Sequence, residues 1–474
     1  MGHRGGESRD QAVLFPVMLD ELVEEDAMAR VIDAWVDALD LRALGFGKAQ
    51  ARRLGRPPYD PADLLKLYLC GYLGGIRSSR ALERECRRNV ECMWLLGRLA
   101  PDHKTIADFR RHNGEALMAS CAAFVQFVRH QGLVGGTVVA IDGSKVQAVA
   151  SRKAVGKAGD LEREQQQLAR EAAHYLEQLE AADRQEERGG PSTGAVKRAL
   201  KRCRERQDEV GAEVARLANS KATSSVLTEP QARAMKSLYG APGYNLQTAV
   251  DTDSHLIVHH EVCNDTSDAG QLMPMAQGAA QVLGTQPEVV ADAGYANGEQ
   301  LQALQETGMT SYVAPSHTPN NQGDGTLYDK TMFRYDASQD CFTCPANKIL
   351  RRKQVCRQDK LVLYAAAPDD CGRCAQKGKC TVSSRRLVSR HWYEEAVRAN
   401  AARVAAAPHM MALRRQSVEH PFGTIKQQIL RNARLLLRGL KGARAELSLA
   451  VMVYNLKRVV HMIGSQKLTQ ALRA

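Results

Sequence analysis

Two short apolar runs in the middle of the chain each lead directly into an aspartate, and this pattern constrains the fold most strongly. Residues 138–141 read Val-Val-Ala-Ile and precede Asp142, and residues 288–291 precede Asp292. Continuous apolar runs of this length, bounded by turn formers such as Gly135-Gly136, are typical of buried strands. Strand-like runs at 245–250 and 256–262 and a helical stretch at 269–283 lie between them. This order predicts an α/β domain that presents acidic residues at strand ends.

A helical region precedes this α/β domain, which we assign to residues 136–315 and 393–465. Residues 1–135 carry apolar side chains at helical spacing and are interpreted as a helical N-terminal DNA-binding domain. Asp60 and Pro61 have the chemistry of a helix start. Arg80 and Arg84 are candidate DNA contacts on a short helix, and an ordinary helical bundle with a basic face is the alternative.

Two insertions interrupt the α/β domain. In residues 159–218 apolar positions recur every seventh residue, which predicts an antiparallel helical hairpin with a coiled-coil seam that breaks at Gly189-Gly190-Pro191. The hairpin is expected to pair with a second subunit, to extend along DNA, or to be a self-contained surface feature. Its seam is formed by Leu161, Leu168 and Tyr175, then by Val196, Cys203, Val210 and Leu217, flanked by Leu200 and Val214. Residues 316–392, rich in turn formers and aromatic residues, form the second insertion and contain six of the 12 cysteines.

The charge balance favours a polyanionic partner. The 65 Lys and Arg outnumber the 53 Asp and Glu, so the formal net charge is +12. Cations that neutralise phosphates release condensed counterions, although a solvated basic surface is the other explanation for such an excess. We find no signal-peptide pattern and no apolar run long enough to span a bilayer, so an intracellular protein without a membrane segment is expected.

The acidic residues suggest two-metal phosphoryl transfer. This chemistry needs carboxylates that converge on two ions about 4 Å apart, and oxygen ligands suit Mg²⁺ or Mn²⁺. Asp142 and Asp292 meet the requirement directly. On a continuous helix a third candidate, Glu419, would share a face with Arg415 and Lys426, although an exposed Arg415–Glu419 ion pair explains the same spacing. Residue type alone does not exclude four other acids near strand ends: Asp251, Asp253, Asp265 and Asp268.

Several motifs resemble those of DDE-type bacterial insertion-sequence transposases, from about residue 15 to residue 463. The acidic motifs are Ala140-Ile141-Asp142-Gly143-Ser144, Ala291-Asp292-Ala293-Gly294-Tyr295 and Val418-Glu419-His420-Pro421-Phe422-Gly423. The helical N-terminal domain of that family is similar to Ser78-Ser79-Arg80-Ala81-Leu82-Glu83, Pro101-Asp102-His103-Lys104-Thr105-Ile106 and Phe109-Arg110. A strand of its core is similar to Gly243-Tyr244-Asn245-Leu246-Gln247.

The resemblance implies an RNase H-like catalytic core with Asp142 on the first strand, Asp292 at the end of the fourth and Glu419 on a late helix. It implies catalysis by these three acids with two Mg²⁺ or Mn²⁺ ions, and DNA contacts from Arg415 and Lys426, with Arg110 as a further candidate. Ala412 stands where the family signature has a tyrosine. The implied reaction is water attack at the ends of the element, followed by attack of the freed 3′-OH on target DNA. The implied partners are the terminal inverted repeats, target DNA and a second copy of the chain, in the bacterial cytoplasm at the nucleoid.

The cysteine cluster predicts a structural zinc site of the zinc-ribbon type. Cys341-x-x-Cys344 and Cys371-x-x-Cys374 are two CxxC pairs, and Cys380 follows. The symmetry of the pairs favours the first four cysteines, whereas the family resemblance favours Cys344, Cys371, Cys374 and Cys380 with Cys341 as the alternative ligand. Flanking cations, including Arg351, Lys353 and Arg385, suggest DNA contact.

Three other functions fit parts of the sequence. A nuclease on the same fold would hydrolyse DNA without joining it, and a catalytically inactive descendant of a transposase would only bind DNA. A zinc-ribbon regulator leaves the acids of the α/β domain unexplained.

Overall fold

The computed structural model describes residues 18–50, 57–186, 194–219, 224–315 and 326–474. The predicted turn at Gly189-Gly190-Pro191 lies outside these ranges. Within them, no helix combines the length and the apolarity that crossing a membrane requires.

The described part of the N-terminal region contains six helices, and three of them begin at a side-chain cap. Asp60 accepts a hydrogen bond from the backbone N–H of Ala62 at 2.8 Å, with Pro61 in the first turn of the helix, as predicted. Asp102 caps a later helix in the same way. The helices are α1 Met28–Asp37, α2 Pro61–Leu73, α3 Ser79–Glu85, α4 Val90–Leu95, α5 His103–His112 and α6 Gly114–His130.

A six-stranded mixed sheet follows. Its main strands lie in the order β6, β5, β1, β7, β8, and the short β4 pairs with the start of β5. β1 is antiparallel to β5 and parallel to β7, and β7 is parallel to β8. All residues of β5 are buried. The elements are β1 Val138–Gln147, β2 Val155–Lys157, α7 Ala158–Glu186, α8 Gly194–Ala218, β3 Ser224–Val226, β4 Arg233–Met235, β5 Ala241–Asp251, β6 Ile257–Cys263, α9 Leu272–Leu283, β7 Glu288–Ala291, α10 Gly298–Glu306 and β8 Ser311–Val313.

β1 is longer than its apolar run predicts. It continues through Asp142 to Gln147, because β5 supplies ladder partners along its whole length, from Val139↔Asp251 to Gln147↔Gly243. Asp142 therefore lies inside a strand and does not end one, which corrects the prediction.

α7 and α8 pack against each other in antiparallel directions, in the segment where the sequence predicts a helical hairpin. Its two apolar clusters include most of the predicted seam, and Val196 stays outside both. An ion pair across the hairpin joins Arg206 and Glu164 at 2.8 Å. The seam residues between the two helices are Leu161, Leu168, Tyr175, Leu200, Cys203, Val210, Val214 and Leu217.

The cysteine-rich insertion has its own antiparallel sheet and its own small core. Phe333, Phe342, Leu350, Tyr364 and Val388 form that core, with three cysteines packed against it. The sheet order is β13, β12, β11, β10, β9. The elements are β9 Arg334–Asp336, β10 Cys341–Thr343, β11 Ile349–Cys356, β12 Leu361–Ala365, α11 Pro368–Gly372, α12 Lys377–Cys380 and β13 Leu387–His391.

The C-terminal helices close the fold. The helix predicted over 394–426 is divided into α13 Glu394–Ala406 and α14 His409–Gly423, with Pro408 between them. Proline cannot donate a backbone hydrogen bond, which explains the break there. α14 passes through Pro421 and continues as a π-helical turn, Thr424–Ile429, before α15 Gly439–Ile463 and α16 Ser465–Arg473. One continuous apolar cluster runs from α1 through the sheet to α16, so the N-terminal helices share a core with the sheet.

Candidate active site

The two aspartates meet where β7 ends and β1 continues. The parallel ladder stops at Ile141↔Ala291, so β1 has no β7 partner beside Asp142. Asp292 follows β7 immediately, and its Oδ1 accepts a hydrogen bond from the backbone N–H of Gly294 at 2.8 Å. Carboxyl ends of parallel strands lie at one edge of a sheet, which is the usual place for a site in an open α/β sheet.

Arg414 lies between the two carboxylates. Its Nη2 is 2.9 Å from Asp142 Oδ2 and 3.4 Å from Asp292 Oδ2. The side chains are 16% exposed for Arg414, 21% for Asp142 and 44% for Asp292. Burial raises the pKa of Asp142 to about 6, and the positive charge of Arg414 opposes that rise. The position of Arg414 was not predicted from the sequence.

Glu419 does not join the pair in this structure. α14 packs on the sheet through Met410 and Val418, which contact Ala140 and Val290. Glu419 is five positions beyond Arg414, so it lies about 140° around the helix from it. Its side chain is exposed and has no ion pair or hydrogen bond to any other described residue, so the alternative Arg415–Glu419 pair is also absent there.

Lys426 interacts electrostatically with Asp142, and Arg415 forms no ion pair with either aspartate. Lys426 is in the π-helical turn. Burial lowers its pKa, whereas the negative charge of Asp142 opposes that effect, which places the ammonium within the field of the site. Arg415 and Ala412 are exposed on α14. The described residues contain no group of three His, Cys, Asp or Glu side chains arranged to hold a metal.

A buried polar cluster adjoins Asp142. The Oδ1 of Asp268 accepts hydrogen bonds from Lys145 Nζ at 2.8 Å, Asn245 Nδ2 at 2.7 Å and Gln247 Nε2 at 2.6 Å. The Tyr295 hydroxyl donates to Gln247 Oε1. Asn245 and Gln247 are fully buried amides two positions apart on β5, and such polar residues inside a strand motif are the signal that would have revealed the cluster.

The other acids considered from the sequence have different positions. Asp251 is buried and accepts hydrogen bonds from Gly136 N and from the N and Oγ of Ser254, so it holds a turn. Asp265 accepts from Gln271, and Asp253 is exposed. Of these four, only Asp268 faces the site.

The predicted DNA contacts of the N-terminal region differ in accessibility. Arg80 and Arg84 are exposed on α3 and form no ion pair with another described residue. Arg110 is 3% exposed and donates to the Tyr72 hydroxyl and the backbone carbonyl of Arg77. Its guanidinium is part of the core, which corrects the expectation that it faces DNA.

Four cysteines line one small cavity of the cysteine-rich insertion, although among the described residues they are not arranged as a metal-binding group. They are Cys344, Cys371, Cys374 and Cys380, the set that the family resemblance favours. Burial raises the pKa of Cys380, and the other three thiols raise it further against the effect of Arg386. Cys341 is buried on β10 and does not line this cavity. Backbone N–H groups of Lys348 and Arg386 point at the sulfurs of Cys344 and Cys371.

Two separate segments of the chain match transposase families. Residues 17–112 match a family of transposase domains (DUF772), and residues 222–456 match the transposase DDE domain family. No curated protein matches the sequence. The two matches occur in the expected order, and the second includes Asp292 and Glu419. Residues 113–221, which include α6, α7, α8 and β1 with Asp142, lie between the matched ranges. The chain therefore belongs to the DDE-type transposases of insertion sequences, a family that acts on DNA and generally uses a divalent metal such as Mg²⁺.

Proposed function

We propose that this transposase cleaves DNA at the ends of its element and joins the freed 3′-OH to target DNA. The observation that carries the proposal is the approach of two aspartates to a single cationic nitrogen: Asp292 directly after β7, and Asp142 within β1 beside the end of β7. The strand order and directions around β1 support an RNase H-like catalytic core. In that core β1 is the first main strand and β7 the fourth, if the short strands β2 to β4 are left out.

The donor set suits a hard divalent cation. Two carboxylates converge, they already attract a cation, and one of them is largely removed from water. Asp142 and Asp292 would hold Mg²⁺ or Mn²⁺, which when bound activates the attacking oxygen and stabilises the leaving oxygen. Lys426 would contact a phosphodiester, since its charge interacts with that of Asp142.

Glu419 is proposed as the third carboxylate ligand. The support is its place on α14, one residue after Val418, which packs against the strands that carry both aspartates. Its carboxylate has no competing partner among the described residues. A Glu419→Gln variant should lose cleavage, whereas Glu395→Gln on the preceding helix should retain it.

The main test compares Asp142→Asn with Asp253→Asn. Asp253 is an exposed aspartate next to the same sheet. The substrate is the flanking DNA of the element, with Mg²⁺ present. We expect Asp142→Asn to abolish cleavage and strand transfer while DNA binding persists, and Asp253→Asn to match the wild type. Equal cleavage by Asp142→Asn would refute the assignment.

The same assay separates the alternatives. Cleavage without joined products would indicate a nuclease, and DNA binding without cleavage by the wild type would indicate an inactive descendant. Synapsis of two ends requires two copies, so we also propose a homodimer on DNA. Light scattering with and without end DNA measures this directly.

The phosphate contacts of the protein are proposed for Arg80 and Arg84 on α3 and for Arg415 and Lys426 near the site. The first three side chains are exposed and have no ion pair to a described residue. Each Ala variant of the α3 arginines should weaken binding to all DNA sequences about equally and reduce its salt dependence.

A structural zinc site is proposed at Cys344, Cys371, Cys374 and Cys380. The support is the shared cavity and the backbone N–H groups directed at two of the sulfurs. Metal analysis of Cys374→Ser should show loss of about one zinc per chain, with Cys356→Ser as the matched control in the same sheet. Full zinc content in Cys374→Ser, or loss in Cys341→Ser alone, would contradict this ligand set.

A further inference from the structure

The positively charged Arg414 side chain lies where the carboxylates of Asp142 and Asp292 converge. A single nitrogen, Nη2, approaches the Oδ2 atoms of both aspartates. Arg414 lies outside the Arg415, Glu419 and Lys426 positions of the family signature. It is instead in the row of α14 residues that faces the sheet, one turn from Met410 and one turn from Val418.

The contacts of Arg414 are not those of an optimised structural ion pair. Such pairs usually place two N–H groups of the guanidinium parallel on one carboxylate. Here one nitrogen is shared between two carboxylates, and Nε is buried without a hydrogen-bond partner in the described part of the chain. Leaving a charged donor unsatisfied away from water is unfavourable. The arrangement thus holds the two aspartates together and leaves Arg414 incompletely bonded.

We propose that Arg414 is an internal counterion that occupies the cation position of the metal-free site and competes with the divalent metal. This inference rests on the proposed function of Asp142 and Asp292 as metal ligands. Two carboxylates that share one cationic nitrogen repel each other, and the guanidinium offsets that repulsion when no metal is bound. A divalent ion at the same oxygens would face the positive charge at contact distance, so metal binding requires the Arg414 side chain to turn away.

Competition between Arg414 and the metal predicts that removing the positive charge of Arg414 raises the affinity for Mn²⁺. Arg414→Gln keeps a polar side chain of similar length and removes the charge. Without the competing cation, the site should bind Mn²⁺ about tenfold more tightly, given the strength of Coulomb interactions at 3–4 Å in a partly solvated site. Without any cation, the two aspartates repel each other, so the metal-free variant should melt at a lower temperature than the wild type.

The test uses the full chain, Mn²⁺ alone and no DNA. Mn²⁺ affinity is measured by electron paramagnetic resonance, and thermal melting is measured in chelator and in saturating Mn²⁺. Arg398→Gln is the matched control, because it makes the same charge change on an exposed side chain of the preceding helix, α13, which has no ion pair with either aspartate. We expect tighter Mn²⁺ binding and a larger Mn²⁺-induced rise in melting temperature for Arg414→Gln only.

The outcomes separate this inference from the proposed function. Unchanged or weaker Mn²⁺ binding by Arg414→Gln, with binding abolished by Asp142→Asn, overturns the counterion and leaves the metal site intact. Wild-type binding that Asp142→Asn does not reduce overturns both. If Arg414→Gln does not fold in either buffer, Arg414→Lys replaces it: its charge lies farther from the carboxylates, so a smaller gain in affinity is expected, and no gain overturns the inference.

Discussion

Replacement of Arg110 tests whether this arginine stabilises the fold or contacts DNA. Its guanidinium lies between the N-terminal helices and α15. It donates to the Tyr72 hydroxyl at 3.0 Å and to the Arg77 carbonyl at 3.1 Å, and it is 4.0 Å from a carboxylate oxygen of Glu446. Its carbon Cζ is 5.3 Å from the centre of the Tyr68 ring. An alanine at this position would remove all four interactions.

The burial of these partners sets the loss of unfolding free energy expected for Arg110→Ala. Breaking a buried ion pair by removing one member costs about 3–5 kcal/mol, because the other charge is left without compensation. Glu446 keeps Arg77 at 3.4 Å and two backbone N–H donors, from Leu436 and Leu437, so the lower end of that range applies. A loss of about 3 kcal/mol corresponds to a melting temperature roughly 6–12 °C lower for a domain of 150–250 residues.

The assay measures stability and DNA binding on the same two variants. Arg110→Ala should show the lower melting temperature and an unchanged slope of log binding constant against log salt. Arg84→Ala should melt like the wild type, and its slope should be smaller by about one, since each phosphate contact releases about one counterion. The comparison is matched because both are arginines on helices of the same region.

The reversed pattern would refute the reasoning. If Arg110→Ala melted like the wild type and lost one unit of salt dependence, its guanidinium would bind phosphate in solution, as the sequence alone suggested. The core between α2, α5 and α15 would then differ from the one described.

Two further substitutions probe the surroundings of the site. In Gly143→Ala the new Cβ would overlap Gln247 Nε2 and lie 2.7 Å from Asp268 Oδ1, so we expect about 1–3 kcal/mol of destabilisation and slower DNA cleavage; wild-type melting and cleavage rates would contradict this. Complete burial lowers the pKa of His260 from 6.5 to about 3, so only the unfolded chain gains a proton between these values. Stability is therefore fully present above pH 6.5 and falls as the pH decreases, by about 2 kcal/mol at pH 5. Melting curves of His260→Asn, which keeps a group able to bond Ser448, should decline less steeply over that range, and parallel curves would exclude the effect.

The strands that carry the aspartates were predictable from local pattern, but the length of β1 was not. The apolar run stops at Ile141 because β1 lies beside polar groups from Asp142 to Lys145 and returns to the hydrophobic core only at Val146. Gly143 has no side chain, and Asp268, Asn245 and Gln247 fill the space above it. Hydrophobic periodicity detects strands that face an apolar core, so a strand that continues over a buried polar cluster escapes it.

An ion pair between residues far apart in the sequence explains why Arg110 was wrongly predicted to contact DNA. Its neighbours in sequence, Phe109 and Arg111, are compatible with either a buried or an exposed arginine at the end of a helix. What buries Arg110 is Glu446, on a helix near the other end of the chain, whose carboxylate is fully buried. No spacing rule connects two such positions, and charged residues are rarely fully buried unless they are paired.

Arg414 and Arg415 are adjacent on α14, but only Arg414 faces the sheet and the aspartates. The family motif directs attention to Arg415 and Glu419, which share one face. The apolar positions Met410 and Val418 are eight residues apart, and Arg414 is midway between them, so the same spacing marks Arg414 as facing the sheet. An arginine inside an apolar row is a signal for a buried acidic partner. For Glu419 to complete a three-carboxylate site, α14 would have to rotate or its side chain would have to reach around the helix.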